Sequence, residues 1–203
     1  MKHVRSLGAV CGYLAAALNA VVFVWYGREV LVGKVDTNPI TWWLWMIETA
    51  VGLTIYAART QDRPKWAAEA ISMVGVVVIA GYLTVMTFFG HARVVFASVE
   101  IVDYGVAALA IVAFVVYDKC GARVAIFVFQ AALIAAIFPL LRATSVNPSA
   151  EPFGPWALWA VAFTLQALCA GLRWDGADTL LNPINYALTH GAVAWIVWQS
   201  AAL

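Results

Sequence analysis

Residues 38–48 read NPITWWLWMIE and residues 152–162 read PFGPWALWAVA. Each stretch holds a Trp-x-x-Trp, and the two fall in one register. A shift of 114 positions places Arg28 on Arg142, Trp42 on Trp156, Leu44 on Leu158, Trp45 on Trp159 and Arg59 on Arg173, without a gap. Tryptophan is rare enough that two coincidences in a single register point to common origin, and self-similarity at a fixed interval decides architecture before any local reading does. The weaker matches Val10 with Val124 and Ala17 with Ala131 carry the register into the preceding segment. The chain reads as a duplicated unit.

The composition gives the environment of that unit. Apolar residues make up 64% of the chain and charged residues 11%, against roughly 45–50% and 25% in soluble domains. A bilayer core of about 30 Å takes about 20 helical residues at 1.5 Å each. Seven apolar stretches have that scale: Leu7–Tyr26, Thr41–Ala58, Trp66–Phe89, Val99–Tyr117, Ala122–Leu141, Pro155–Leu172 and Leu181–Trp198. They do not alternate apolar with polar as barrel strands do, so they are expected to be helices that satisfy their own backbone hydrogen bonds in lipid. No early segment has the plan of a removable signal. Cys11, Cys120 and Cys169 stand singly and read as packing residues rather than a metal knuckle or disulfide framework. A net charge near +1 without a basic run excludes a nucleic-acid footprint.

Loop charge orients the spans. Lys2, Arg5, Arg59, Arg63, Lys65, Lys119, Arg123 and Arg173 fall on the side of the N-terminus, and Arg28, Lys34, Arg93 and Arg142 on the other. This bias predicts a cytoplasmic N-terminus, with the bacterial inner membrane as the setting. Helices one to three correspond to helices five to seven. Four helices separate equivalent members, so the two triplets cross in the same direction, related by an axis along the membrane normal, and helix four is the extra crossing that allows it. The expected fold is an all-α integral membrane protein of seven helices in a 3+1+3 plan. Residues 1–90 form the first three-helix bundle, 91–120 carry the linking inversion helix, and 121–203 form the second bundle.

The run IAAIFPLLRATSVNPSAEPFGPWALW, with Pro139 inside helix five and a tryptophan-rich start to helix six, followed by LNPINYALTHGAVAWIVW, resembles the SWEET and PQ-loop transporter superfamily. Nicotinamide riboside transporters share the 3+1+3 plan. The resemblance implies alternating access between two bundles, a substrate held between them at mid-membrane, and a hinge at Pro139. Leu140 stands where the family has glutamine, and Trp25 stands at the position matching Pro139 in the first half.

Eight tryptophans, Trp25, Trp42, Trp43, Trp45, Trp156, Trp159, Trp195 and Trp198, fall at one membrane face, against Trp66 and Trp174 at the other. A belt would occupy both faces. Residues three apart share a helix face, so Trp42 with Trp45, Trp156 with Trp159, and Trp195 with Trp198 are expected to form three ladders around the cleft. Such rings suit a planar solute, a sugar face or a cation. Arg28, Arg142, Arg59 and Arg173 are expected to snorkel at the helix ends.

Ionisable groups within the spans are expensive and mark function. Glu48 lies one turn beyond Trp45, so Trp42, Trp45, Glu48 and Gly52 share one face; Ala162 stands at the matching position of the second repeat. Glu48 is read as a substrate contact and proton-coupling carboxyl, with backbone-satisfied burial as the competing reading. His190, in helix seven, is its candidate proton partner. Gln130, Gln166 and Asn185 join Trp42, Trp45, Trp156 and Trp159 as candidate substrate contacts, although a mid-helix amide such as Gln130, Gln166 or Asn19, taken singly, more often joins helices. Asn38-Pro39 and Asn182-Pro183 read as N-caps before a first-turn proline, and Ser98, Glu100 and Asp103 as the acidic start of helix four. No cofactor or metal is expected. A retinal photoreceptor would need a lysine within helix seven, where none stands, and no nucleophile-base pair points to an enzyme. The predicted function is transport of a small polar or aromatic solute such as a sugar, vitamin or nucleoside-like compound. A ligand-binding receptor is the alternative, and a homo-oligomer is compatible with either.

Overall fold

The computed structural model describes residues 2–35, 39–89 and 101–201; Ser98 and Glu100, expected at the start of helix four, and Asn38 lie outside them. The described residues form seven α-helices and no strand: α1 Lys2–Leu31, α2 Pro39–Thr60, α3 Arg63–Phe88, α4 Ile101–Cys120, α5 Ala122–Val146, α6 Phe153–Leu172 and α7 Asp178–Ala201. A short 3-10 turn, Pro148–Ala150, precedes α6. Four of them, α1, α3, α5 and α6, are long and apolar enough to cross a membrane, which fits an integral membrane protein. In α2 and α7 part of each helix is polar and turned inward: Glu48 and Thr49 in α2 and Thr179 and Asn182 in α7 are buried.

The packing is reciprocal. Helix α3 packs against both α1 and α2, whose backbones make no close approach to each other among the described residues; α7 likewise packs against both α5 and α6, whose backbones stay apart. Between the triplets α1 lies on α6 and α2 lies on α5, and α4 packs on α5 and α2. Leaving α4 aside, exchanging α1, α2 and α3 for α5, α6 and α7 maps these pairings onto themselves.

Small residues permit the closest approaches. Gly8 and Gly12, one turn apart on α1, meet Arg173 and Leu172 at the end of α6 and the carbonyl of Pro64 at the start of α3, with no room for a Cβ. Close backbone approach of this kind is how helices associate where no hydrophobic force separates protein from lipid. Gly33, at φ 69°, turns the chain out of α1, and Gly121, at φ 83°, separates α4 from α5; both lie in the left-handed region that glycine tolerates. The larger apolar core runs through α1, α3, α6 and α7 and takes in Trp42 and Trp156. A smaller one joins Ile55 and Tyr56 of α2 to Ala113 of α4 and Phe129 of α5.

Helix α7 begins at Asp178, four residues before Asn182, so Asn182 is no cap and Pro183 lies inside the helix. Proline at position 183 cannot donate to the carbonyl of Thr179 one turn back. The Tyr56 hydroxyl donates to that carbonyl instead, at 2.6 Å. Helix α5 continues through position 139, the expected hinge.

Candidate functional site

Where the ends of α1 and the starts of α2 and α6 converge, the two Trp-x-x-Trp copies meet. The rings of Trp42 and Trp45 lie 5.1 Å apart, as do those of Trp156 and Trp159. Trp45 meets Trp156 edge-on at 6.2 Å and so joins the copies. Tyr26 stands among them, 5.4 Å from Trp42 and from Trp159. The four indoles open onto a cavity of about 60 Å³ bounded by residues of α1, α2, α3, α5, α6 and α7, including Phe23, Glu48, Ser72, Ile137, Tyr186 and His190.

The indole N–H groups of the second copy are spent on the protein. Trp156 donates to Glu151 Oε2 at 2.8 Å, an oxygen that also accepts from the Tyr26 hydroxyl at 3.3 Å. Trp159 donates to Asn19 Oδ1 at 2.7 Å, and Asn19 Nδ2 donates to the Ala68 carbonyl and to Ser72 Oγ, each at 2.7 Å. With their edges anchored, Trp156 and Trp159 are fixed in orientation, and aromatic pairs prefer the tilted and edge-on geometries seen across the cluster. His190 packs 5.3 Å from Trp156 and 5.2 Å from Phe163. Its Nδ1 lies 2.7 Å from the Tyr186 carbonyl. A carbonyl only accepts, so Nδ1 carries a proton, and Nε2 is left as the ring position that can accept or take up a second proton.

Glu48 is the unbalanced group. It is 5% exposed, and its Oε1 has no hydrogen-bond partner. The described residues lining the cavity include no lysine or arginine. Burying a carboxyl without a partner is costly, and each such group in a folded protein calls for an explanation.

Of the residues expected to meet substrate, Trp42, Trp45, Glu48, Trp156, Trp159 and His190 line this cavity. Gln130, Gln166 and Asn185 do not line it; they belong to a side-chain network. Asn185 Nδ2 donates to Gln130 Oε1 at 2.8 Å, and Gln130 Nε2 to Asn182 Oδ1 at 3.1 Å. Asn182 Nδ2 donates to Glu69 Oε1 at 2.8 Å, and Gln166 Nε2 donates to Glu69 Oε2 and to the Lys65 carbonyl. The third ladder also departs from expectation. Trp195 and Trp198 touch each other but are 55% and 49% exposed, because Val193, Ala194 and Val197 occupy the buried face of α7.

At the end of the molecule opposite the tryptophans lies a lattice of ion pairs. Arg59, at the end of α2, pairs with Asp178 at the start of α7 and donates to the Asp175 carbonyl. Arg173, after α6, makes a two-pronged pair with Asp62 before α3, both bonds 2.7 Å. These arginines therefore tie one triplet to the other instead of snorkelling. Fully buried Lys65 reaches Asp175 at 2.8 Å. Burial pushes Asp175 up, but the donations from Lys65, Thr179 and Thr60 outweigh it and hold the carboxyl below its ordinary value.

Comparison with family models, with curated proteins and with solved structures finds no match. The site therefore rests on its own geometry. Sequence reasoning missed Glu151, Glu69, Asn182 and the paired role of Lys65. Glu151 carried a signal in its position five residues before a repeated tryptophan; Glu69, six residues into an apolar helix, was as conspicuous as Glu48.

Proposed function

We propose that this chain is a membrane carrier for a small solute, built as two three-helix bundles around one binding cavity, with α4 as the inversion helix. The observation that carries this reading is the aromatic cavity bounded by six helices, three from each repeat, into which a buried carboxyl with an unpartnered oxygen is directed. Substrate sites at a repeat interface near the bilayer midplane are the general pattern of repeat-built transporters. The reciprocal packing of the triplets supports the 3+1+3 plan and with it the likeness to the SWEET and PQ-loop superfamily. In this reading all seven helices cross the inner membrane, the N-terminus and the ion-pair lattice face the cytoplasm, and the tryptophan end faces outward.

The layers along the axis give the mechanism. Solute enters past the aromatic rings and rests beside Glu48. The amide and carboxyl network around Glu69, then the ion pairs Arg59–Asp178 and Arg173–Asp62, close the way below. Rocking of the bundles breaks those pairs while it closes the aromatic entrance. Glu48, His190 and the Tyr186 phenol are the titratable groups lining the cavity, and Glu48 with His190 is the pair proposed to couple movement to protons.

The test is a thermal-shift screen of purified protein against sugars, vitamins and amines, followed by uptake of the hits into proteoliposomes. Uptake above empty vesicles is expected for at least one hit. Binding without uptake in competent vesicles would assign the cavity to a receptor instead. For the coupling, Glu48→Gln is expected to flatten the pH profile of uptake while the protein remains folded; an unchanged profile removes Glu48 from proton coupling.

A further inference from the structure

The geometry points to a small organic cation, of the size of a methylated ammonium head, as the solute class of this cavity, with Glu48 as its counter-charge. The inference rests on the reading of the cavity as a solute site and ranks the chemistries that reading leaves open.

Charge is the first argument. The carboxyl of Glu48 is buried, its Oε1 lacks a partner, and the described residues around the cavity supply no cation of their own. Buried charges in proteins are paired. A cationic solute supplies the missing partner on entry, whereas an anion would add like charge to a site that already holds an acid.

Hydrogen-bonding capacity is the second. A sugar needs a partner for nearly every hydroxyl, because each group left unmade in a dry site costs the desolvation of that group. Here several of the polar atoms around the cavity are committed to the protein. Trp156 and Trp159 donate to Glu151 and Asn19, Ser72 accepts from Asn19, Thr189 donates to the Asn185 carbonyl, and His190 Nδ1 to that of Tyr186. What remains toward the cavity is mostly aromatic surface, with the Glu48 carboxyl, His190 Nε2 and the hydroxyls of Thr49 and Tyr186 as its polar groups, fewer than the hydroxyls and ring oxygen of a sugar need and chiefly acceptors. Aromatic faces attract a cation through the ring quadrupole, and aromatic boxes are a recurrent solution for quaternary ammonium groups.

Size is the third. A water needs about 10–15 Å³ of such space, so the 60 Å³ cavity holds roughly four to six. That matches a trimethylammonium group with a short tail and is too small for a nucleoside or a disaccharide.

The decisive experiment compares two isosteres on the unmodified, detergent-purified protein: choline and its uncharged carbon analogue 3,3-dimethylbutan-1-ol, by tryptophan fluorescence titration, with glucose and a nucleoside alongside. Choline is expected to bind at least tenfold more tightly than the alcohol. Glu48→Gln should remove that preference by weakening choline alone, while Glu48→Asp keeps it. Equal binding of both isosteres overturns the cation inference and leaves the cavity as an apolar solute site. Binding of glucose or the nucleoside without choline overturns it too, yet leaves the carrier reading in place. Absence of binding by all four probes at millimolar concentration also overturns the cation inference, and the carrier reading is then decided by the wider screen and uptake. The isostere comparison needs no variant, so a misfolded Glu48→Gln protein cannot obscure the answer.

Discussion

Glu151 stands outside the helices, in the turn before α6, yet its carboxyl is enclosed by the aromatic cluster it anchors. Burial pushes its pKa up from 4.5 to about 7, against the lowering effect of hydrogen bonds from Trp156 and Tyr26. Between those two values the folded protein binds more protons at this site than the unfolded chain does. Stability therefore falls as pH rises from about 4.5 to about 7 and is level above that. Thermal melts of wild type at pH 5 and pH 8 are expected to show the lower midpoint at pH 8. Glu151→Gln, which keeps an acceptor for Trp156, should remove most of the difference, and a wild-type profile in the variant would exclude Glu151 as its source. The residue shows what can be read from sequence at this scale. Glu48 and His190 were legible because an ionisable group in an apolar helix is conspicuous by itself. The role of Glu151 was not, since it depends on Tyr26, which lies 125 positions away. The same distance problem hid the partner of Trp159, because Asn19 is 140 positions removed.

Helix α7 carries the clearest disagreement between local signal and tertiary outcome. Asn-Pro is a strong helix-start dipeptide, and it predicts a start at residue 182; the helix begins at Asp178. The early start is supported from outside the helix: Arg59 pairs with Asp178, and Tyr56 supplies the donor that Pro183 cannot. All seven helices were otherwise legible, because apolar length is a local property. Their ends and polar faces were not, because both are set by partners from other helices. Tyr56 and Pro183 form a pair whose effects should not add. Tyr56→Phe leaves a buried carbonyl without a partner, at a cost of about 1–3 kcal/mol. In a Pro183→Ala background the amide of residue 183 can reach Thr179 along the helix, so the same Tyr56→Phe change should cost clearly less. Unfolding of the four proteins of this cycle, followed by circular dichroism in mixed micelles, measures the coupling. Strict additivity would show that Tyr56 does not stand in for the missing donor.

Across the whole molecule the repeat sets a relation that neither half shows alone. Arg59 and Arg173 are equivalent under the shift of 114, and each pairs with the acid that opens the third helix of the opposite triplet, Asp178 and Asp62. The two pairs are counterparts and close the same end of the molecule, where buried Lys65 also reaches the more exposed Asp175. They differ from surface pairs, which contribute little, because both partners are largely withdrawn from solvent: side-chain exposures are 12% and 9% for Arg59 with Asp178, and 20% and 23% for Arg173 with Asp62. If this end is the closed side of a carrier, weakening the pairs should raise the population of an open state, because a conformational equilibrium moves with the interactions that differ between its states. Cys169 gives a native reporter. It is fully buried on α6 one turn before Arg173, whereas Cys120 is exposed and Cys11 half-buried. In a Cys11→Ser, Cys120→Ser protein, maleimide labelling of Cys169 is expected to be slow. Asp62→Asn with Asp178→Asn should accelerate it at least tenfold, and each single change by less, since one remaining pair still joins the triplets. Accelerated labelling with an unchanged melting midpoint separates opening from general loosening. A lowered midpoint with labelling still slow would make the two pairs static braces, and the rocking of one bundle against the other would then have to break the molecule at some other seam.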